Sequence, residues 1–305
     1  MKRIENADMS EYTSFKCGGK ADLLIIPDTT EELEEAISEA CRTAGARDGA
    51  GQNGRADSGR ASMLILGNGS DTIVKDGGFR GTVIKLGEGF SKITIEGDRL
   101  TAGSAALLSQ AAREAAAASL SGLEPVSGIP GSVGGAVFMN AGAYGGEMKD
   151  VLKSVTALSR ETGEIVEIPA EDLHLSYRHS VFTDTGDVIL SAVMKLKADD
   201  REEIEARMKD FTDRRNDKQP LQYPSAGSFF KRPEGYFAGK LIQDAGLRGL
   251  SVGGAQVSEK HAGFIINKGG ATASDVIKLM HLVQNTVYDQ FGVMLEPEVR
   301  IVGED

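Results

Sequence analysis

Backbone N–H groups gather around phosphate oxygens only where side chains leave them room, and two stretches of this chain are cleared in that way. In LILGNGSD, residues 64–71, Gly67 and Gly69 follow an apolar run. In SGIPGSVGGAVFMNAGAYGGE, residues 127–147, Gly128, Gly131, Gly134 and Gly135 precede a segment of small residues, and only the closing Glu147 is charged. Neither spacing is a familiar nucleotide code. The second loop reads G-x-x-G-x-x-G rather than the Rossmann G-x-G-x-x-G, no βαβ unit follows the first, and GYFAGKL (235–241) lacks Walker A spacing. Tyr12 and Lys16 form a Y-x-x-x-K with no dinucleotide-binding strand before it, a coincidence of spacing. The glycines either make tight turns and close packing alone, or hold a diphosphate-containing cofactor on irregular loops. Two dense clusters in one chain favour the second reading.

The elements that must carry these loops are short and mixed. ADLLII (21–26) predicts a strand, followed by a Thr/Asp cap and a helix from about Glu31. MLIL (63–66) predicts a buried strand running into the first glycine turn. GTVIKL, KITIEGDRLTAGS and SVTALSRETGEIVEI predict strands and hairpins, and LLSQAAREAAAASL an alanine-rich helix. DREEIEARMKDFTDRRNDKQP predicts a charged amphipathic helix stopped by Pro220. GFIIN predicts a strand, ASDVIKLMHLVQNTVYDQFG a helix, and EPEVRIV a final strand. No internal repeat is present, and the class is α+β or mixed α/β. Gly45 to Ser62 is polar, aperiodic and nearly free of apolar residues, so it reads as a flexible loop. Ordering it would cost entropy without burial to compensate. Replacing it with a short glycine-serine link is therefore expected to leave turnover and cofactor content intact, and loss of cofactor on shortening would contradict that expectation.

With 305 residues, 40% hydrophobic and 26% charged, the chain suits about two globular domains. The net charge of −11 argues against non-specific binding of nucleic acid or acidic membranes. Cys17 and Cys41 form no C-x-x-C and no zinc spacing, and the four histidines (His174, His179, His261, His281) lie in no metal-ligand pattern. No secretory h-region and no apolar run of membrane length is visible, so a reduced, cytoplasmic protein is expected, with no membrane insertion and no metal.

Seven segments occur in one order along nearly the whole chain: YTSFKCGGKADLLIIP, LGNGSDTIVKDGGFRG, GLEPVSGIPGSVGGAVFMNAGAYGGE, LSYRHSVF, YPSAGSFFKRP, GGAQVSEKHAGFIIN and LEPEVR. Together they resemble the UDP-N-acetylenolpyruvoylglucosamine reductase (UDP-N-acetylmuramate dehydrogenase) family. The resemblance implies an FAD-binding fold of the vanillyl-alcohol-oxidase type, with two α+β subdomains clasping the flavin (1–80 and 81–200) and a substrate-binding domain (201–293). A C-terminal strand, about 294–305, would return near the first subdomain. It implies non-covalent FAD, NADPH as reductant, a monomer, and a role in peptidoglycan precursor synthesis. The substrate would be the enolpyruvyl ether of UDP-N-acetylglucosamine, reduced to the D-lactyl ether by hydride from flavin N5 to C3 and a proton from Ser228 to C2.

Residue by residue, the resemblance implies that Gly67, Asn68, Gly69, Ser70, Asp71, Gly128, Ile129, Pro130, Gly131, Ser132, Gly134 and Gly135 hold FAD. Asn140, Ala141 and Gly142 would meet its flavin or ribityl part. Arg178 would bind the substrate carboxylate through its planar paired donors. Ser228 would give the proton, with Ser225 as the nearest decoy, and Glu298 would be the catalytic glutamate. A carboxyl there helps only if protonated, so burial is expected to raise its pKa. Tyr177, Lys218, Lys231, Arg232 and His261 would contact the UDP-sugar. Two positions depart from the family: Asp71 and Arg232 each stand where asparagine is common. Segment 45–62 also looks like an insertion. Another FAD oxidoreductase of the same fold, or a catalytically idle flavin- or sugar-nucleotide-binding protein, are the competing readings. The joint presence of Arg178, Ser228 and Glu298 argues against both.

Overall fold

The N-terminal segment Lys2–Asp8 pairs antiparallel with Lys20–Ile26, which continues in parallel to Phe79–Ile84 and then to Met63–Ile65. The computed structural model describes residues 1–48 and 63–305, and the expectation for 45–62 falls almost entirely outside the described residues. The first strand carries four charged residues in seven and has no apolar alternation, so its pattern did not announce it; it is an edge strand, where such residues stay in water. The helix Thr30–Asp48 starts where the cap was expected, with the Thr29 hydroxyl accepting from Glu32 N–H at 3.3 Å.

A second, five-stranded antiparallel sheet runs in the order Ile165–Pro169, Leu152–Leu158, Val188–Lys195, Arg99–Gly103, Ile93–Glu96. The alanine-rich helix Leu108–Ala117 buries Leu108, Ala111, Ala112 and Ala115 in the core built on this sheet. That is one stripe at helical spacing, and its short side chains let the helix approach closely. A third sheet contains Ser225–Ser228, Phe264–Asn267, Ala255–Val257 and Ser251–Val252. The helix Ala273–Phe291 packs beside it through Val276, Leu279, Met280, Val283 and Val287. A Thr272–Asp275 capping box opens that helix and Gly292, at φ +68°, closes it.

Two expectations change in detail. The helix Arg201–Lys218 is charged on almost every side: Ile204 is its only buried residue, Met208 packs against the core of the second sheet, Phe211 stacks on Tyr144, and Arg207 and Arg215 tie it by polar bonds to Glu124 and to the Gly128 carbonyl. The final strand is only Arg300–Val302, paired in parallel with Thr72–Val74, so Glu298 lies just before it rather than within it. Among the described residues no helix is long and apolar enough to cross a membrane.

Candidate active site

The two glycine turns face each other across a cleft of about 580 Å³. The turn after Met63–Ile65 is held open from three sides. Ser14 N–H donates to the Gly69 carbonyl at 2.9 Å, the Lys85 ammonium donates to the Gly67 carbonyl at 2.6 Å, and the Asn68 amide donates to the Pro130 carbonyl at 2.6 Å. The last bond ties one glycine loop to the other. Gly69 sits at φ +64°, and a Cβ there would collide with the Tyr12 carbonyl, so glycine is required twice over. Gly128, Gly131, Gly134 and Gly135 all keep negative φ, and their value is space. A Cβ on Gly134 would fall 2.8 Å from Ser104 Cβ, while Gly131 and Gly135 line the cleft.

Among the described residues, the N–H groups of Asn68, Gly69, Ser70, Asp71, Gly131 and Ser132 donate to no protein acceptor, and all six residues line this cleft. The buried Ser104 hydroxyl on the same wall also has no partner. Fixed, unspent donors around a space of this size suit a diphosphate-bearing cofactor. Lys85 was not singled out from the sequence. Burial pushes its ammonium below the usual range, and nothing in GTVIKL marks it apart from an ordinary strand-end lysine.

Four of the expected cofactor residues do not line the cleft. Asn140 is fully buried, at 0% exposure, and its amide is spent. It donates to Glu147 and to the Ser176 carbonyl and accepts from Lys149 N–H, so it braces the loop instead of meeting a ligand. Pro130 acts through its carbonyl on Asn68. The Gly128 carbonyl accepts from Arg215 at 2.6 Å, and that of Gly142 from Arg178 at 3.4 Å. Ile129 and Ala141 do line the cleft.

Arg178 and Glu298 are brought together at its far end, with Nε to Oε1 at 2.7 Å and both side chains largely buried. Arg178 holds φ +57° at a tight turn closed by Ser176 and His179, a conformation that costs a non-glycine residue energy and aims the guanidinium inward. Burial raises the Glu298 carboxyl above the usual range, against the opposing pull of Arg178 and Lys231. The carboxyl pushed furthest is that of Asp71, up to about 8, first by burial and then by the charge of Glu298, with Arg300 and Arg178 offsetting only part.

Arg178 and Glu298 also line a second cleft of about 360 Å³, together with Ser228, Tyr177, Arg232 and His261. The pair is therefore the wall between the two spaces. Ser228 reaches the second cleft through a local irregularity. The pairing of Ser225–Ser228 with Phe264–Asn267 slips between its ends, and Gly227 takes φ +80°, which turns the Ser228 hydroxyl outward. Ser225 is instead tied by its carbonyl to the Ser14 hydroxyl at 2.6 Å and lines neither cleft. The chain around Ser228 is locked to Glu298, whose N–H donates to the Phe229 carbonyl at 2.9 Å.

The second cleft is cationic in an acidic protein. Beside Arg178 and Arg232 it gathers Lys240, Arg248 and Lys260, which sequence reading did not select because they are scattered among loops. Arg232 lies 4.0 Å over the Phe237 ring, and its N–H donates to the Tyr177 hydroxyl at 3.0 Å. The imidazole of His261 accepts from Gly263 N–H on Nδ1, which leaves its proton on Nε2 as a donor; burial first, then Arg248 and Lys218, lower its pKa. Lys218 is exposed and lines neither cleft, and Lys231 lines the first cleft rather than the second.

The family model described as "UDP-N-acetylenolpyruvoylglucosamine reductase, C-terminal domain" matches residues 219–302, and one described as "FAD binding domain" matches 21–169. A reductase of that name from Alkaliphilus oremlandii is 48% identical over 97% of this chain and 92% of its own length. Its namesake from Agathobacter rectalis is 49% identical over 99% of this chain and 94% of its own. The crystal structure of the corresponding reductase from Thermus caldophilus superposes with a TM-score of 0.81 at 36% identity, covering 98% of each chain.

Proposed function

The chain belongs to the UDP-N-acetylenolpyruvoylglucosamine reductase family and is an FAD-binding oxidoreductase, and from that premise we propose that it reduces the enolpyruvyl ether of UDP-N-acetylglucosamine at the expense of NADPH. The observation that carries this reading is the Arg178–Glu298 wall shared by two clefts, one lined by unspent backbone donors and the other cationic with Ser228 in it. The N–H groups of Asn68 to Asp71 and of Gly131 and Ser132 would hold FAD, and a bound, reduced flavin would supply the hydride chemistry that the enolpyruvyl double bond needs.

The chain's own residues do the rest. Arg178 meets the substrate carboxylate with paired, permanently charged donors and stabilises the charge that spreads over C2 and the carboxylate. Ser228 gives its proton to C2, which completes the saturation of the double bond. A hydroxyl is a weak acid, but the carbon it serves is a strong base. Glu298 orients Arg178, and in its protonated form adds a donor to the developing charge. Arg232, Lys240, Arg248 and the Nε2–H of His261 anchor the UDP diphosphate. Tyr177 and Lys231 flank it at the junction of the clefts.

The three-part division into 1–80, 81–200 and 201–293, with 294–305 returning to the first part, and a cytoplasmic monomer belong to the same reading, although the first boundary falls inside the strand Phe79–Ile84 of the first sheet. Expression with the enolpyruvyl substrate and NADPH tests it: a yellow protein bleached by NADPH and recoloured by substrate is the expected result, and bleaching without recolouring would refute the substrate.

FAD is expected to be held without a covalent bond. Flavin tethering in this fold usually uses a histidine or cysteine near the glycine loops, and among the described residues lining the cleft none is either. Acid precipitation should leave all flavin in the supernatant; colour in the pellet would contradict this.

A further inference from the structure

Asp71 closes the first glycine turn, and its position is set by backbone bonds. Arg300 N–H donates to the Asp71 carbonyl at 2.9 Å, directly before the parallel pairing of Thr72–Val74 with Arg300–Val302. Its side chain sits in the wall of the larger cleft, but among the described residues the carboxyl has no hydrogen bond and no ion pair. The two cations nearest in charge are committed elsewhere: the Arg300 guanidinium lies 4.9 Å over the Phe138 ring, and Arg178 is bonded to Glu298 at 2.7 Å. Lys85, Lys231, Arg160 and Asp187 complete the charged groups of the cleft wall. A half-buried carboxylate without a partner is costly, whereas a carboxylic acid costs much less and has a proton to donate. An occupant of the cleft with acceptor oxygens can take that proton.

We propose that Asp71 meets bound FAD as a neutral carboxylic acid and donates a hydrogen bond to it, so that the enzyme grips its cofactor through a proton it must keep. This rests on FAD occupying the cleft between the glycine turns. Burial and the Glu298 charge, which together push Asp71 up to about 8, put the same proton in place before the cofactor arrives. The sign follows directly. FAD selects the protonated form, so affinity is full below the raised value and falls as pH rises through it.

Holoenzyme diluted between pH 6 and 9.5, with released FAD read by its fluorescence, tests the proposal. Affinity should be level up to pH 7 and about tenfold weaker at pH 9, as a single proton with that affinity requires. Asp71→Asn, whose amide donates but does not titrate, should bind FAD within about threefold of wild type at pH 7 and lose nothing at pH 9. Wild-type affinity that stays level to pH 9.5 overturns the proposal. So does an Asp71→Asn protein that shows the same alkaline loss, or that is folded by circular dichroism but releases FAD at pH 7. Should that variant not fold, the wild-type holoenzyme decides alone: its infrared spectrum at pH 7 should contain a carboxylic acid band that vanishes as FAD leaves, and absence of the band overturns the proposal. Failure of wild type to retain FAD at pH 7 would instead remove the cofactor reading beneath it.

Discussion

Ser228→Ala should leave reduction of the bound flavin by NADPH near the wild-type rate and slow its reoxidation by the enolpyruvyl substrate by at least the ~10²–10⁴-fold typical of losing a general acid. Hydride arrival at the flavin needs no proton from this hydroxyl, whereas delivery to C2 does. The geometry offers few substitutes. Ser225 lines neither cleft. His261 also lines the second cleft, but burial and its cationic neighbours disfavour a second ring proton, and its Nε2–H serves as an anchor in the proposed mode. The mutation removes only the hydroxyl of an exposed residue, which makes no hydrogen bond among the described residues, so the fold should tolerate it. Stopped-flow traces of the two half-reactions are the measurement. Equal slowing of both would give Ser228 a structural role and sink its assignment as the donor.

Glu298→Gln should slow reoxidation by about 10²–10³-fold, the usual loss for one donor or orienting group at a developing negative charge, while flavin reduction by NADPH persists. The glutamine still offers an oxygen to Arg178 Nε, so the guanidinium stays placed, but the side chain has no acid proton and no charge. Glu296→Gln should change neither half-reaction measurably. Its side chain is 71% exposed and pairs with Lys231 only at 3.5 Å, a surface contact of small worth. Glu298, at 11% exposure against Arg178, is in the opposite situation. Because burial raises Glu298, its protonated fraction falls with rising pH through a window lying above the ordinary carboxylate range. Reoxidation in wild type should therefore decline on the alkaline side in a way that Glu298→Gln does not. Were Glu296→Gln the damaging change, the acid would be misplaced by two residues.

The parts of this protein that local chemistry governs were legible in the chain itself. The two glycine clusters mark cleared backbone, ASDVIKLMHLVQNTVYDQFG reads as a helix, and the order of the seven segments points to one family. What the sequence could not determine is whatever depends on desolvation or on partners distant along the chain. Asn140, in a loop of small residues, looks like a ligand contact, but it is consumed by three internal hydrogen bonds. Glu298 was expected to owe its burial to a strand, but it precedes the strand and owes it to Arg178, 120 positions away, and to the backbone at Phe229. Lys240, Arg248 and Lys260 carry no pattern until folding lines one cleft with them. Asp71 reads from the sequence only as an FAD residue that stands where asparagine is common. Only the tertiary structure buries it beside the Glu298 charge while directing Arg300 onto Phe138, and a carboxyl so placed holds its proton because the two arginines offset only part of that cost.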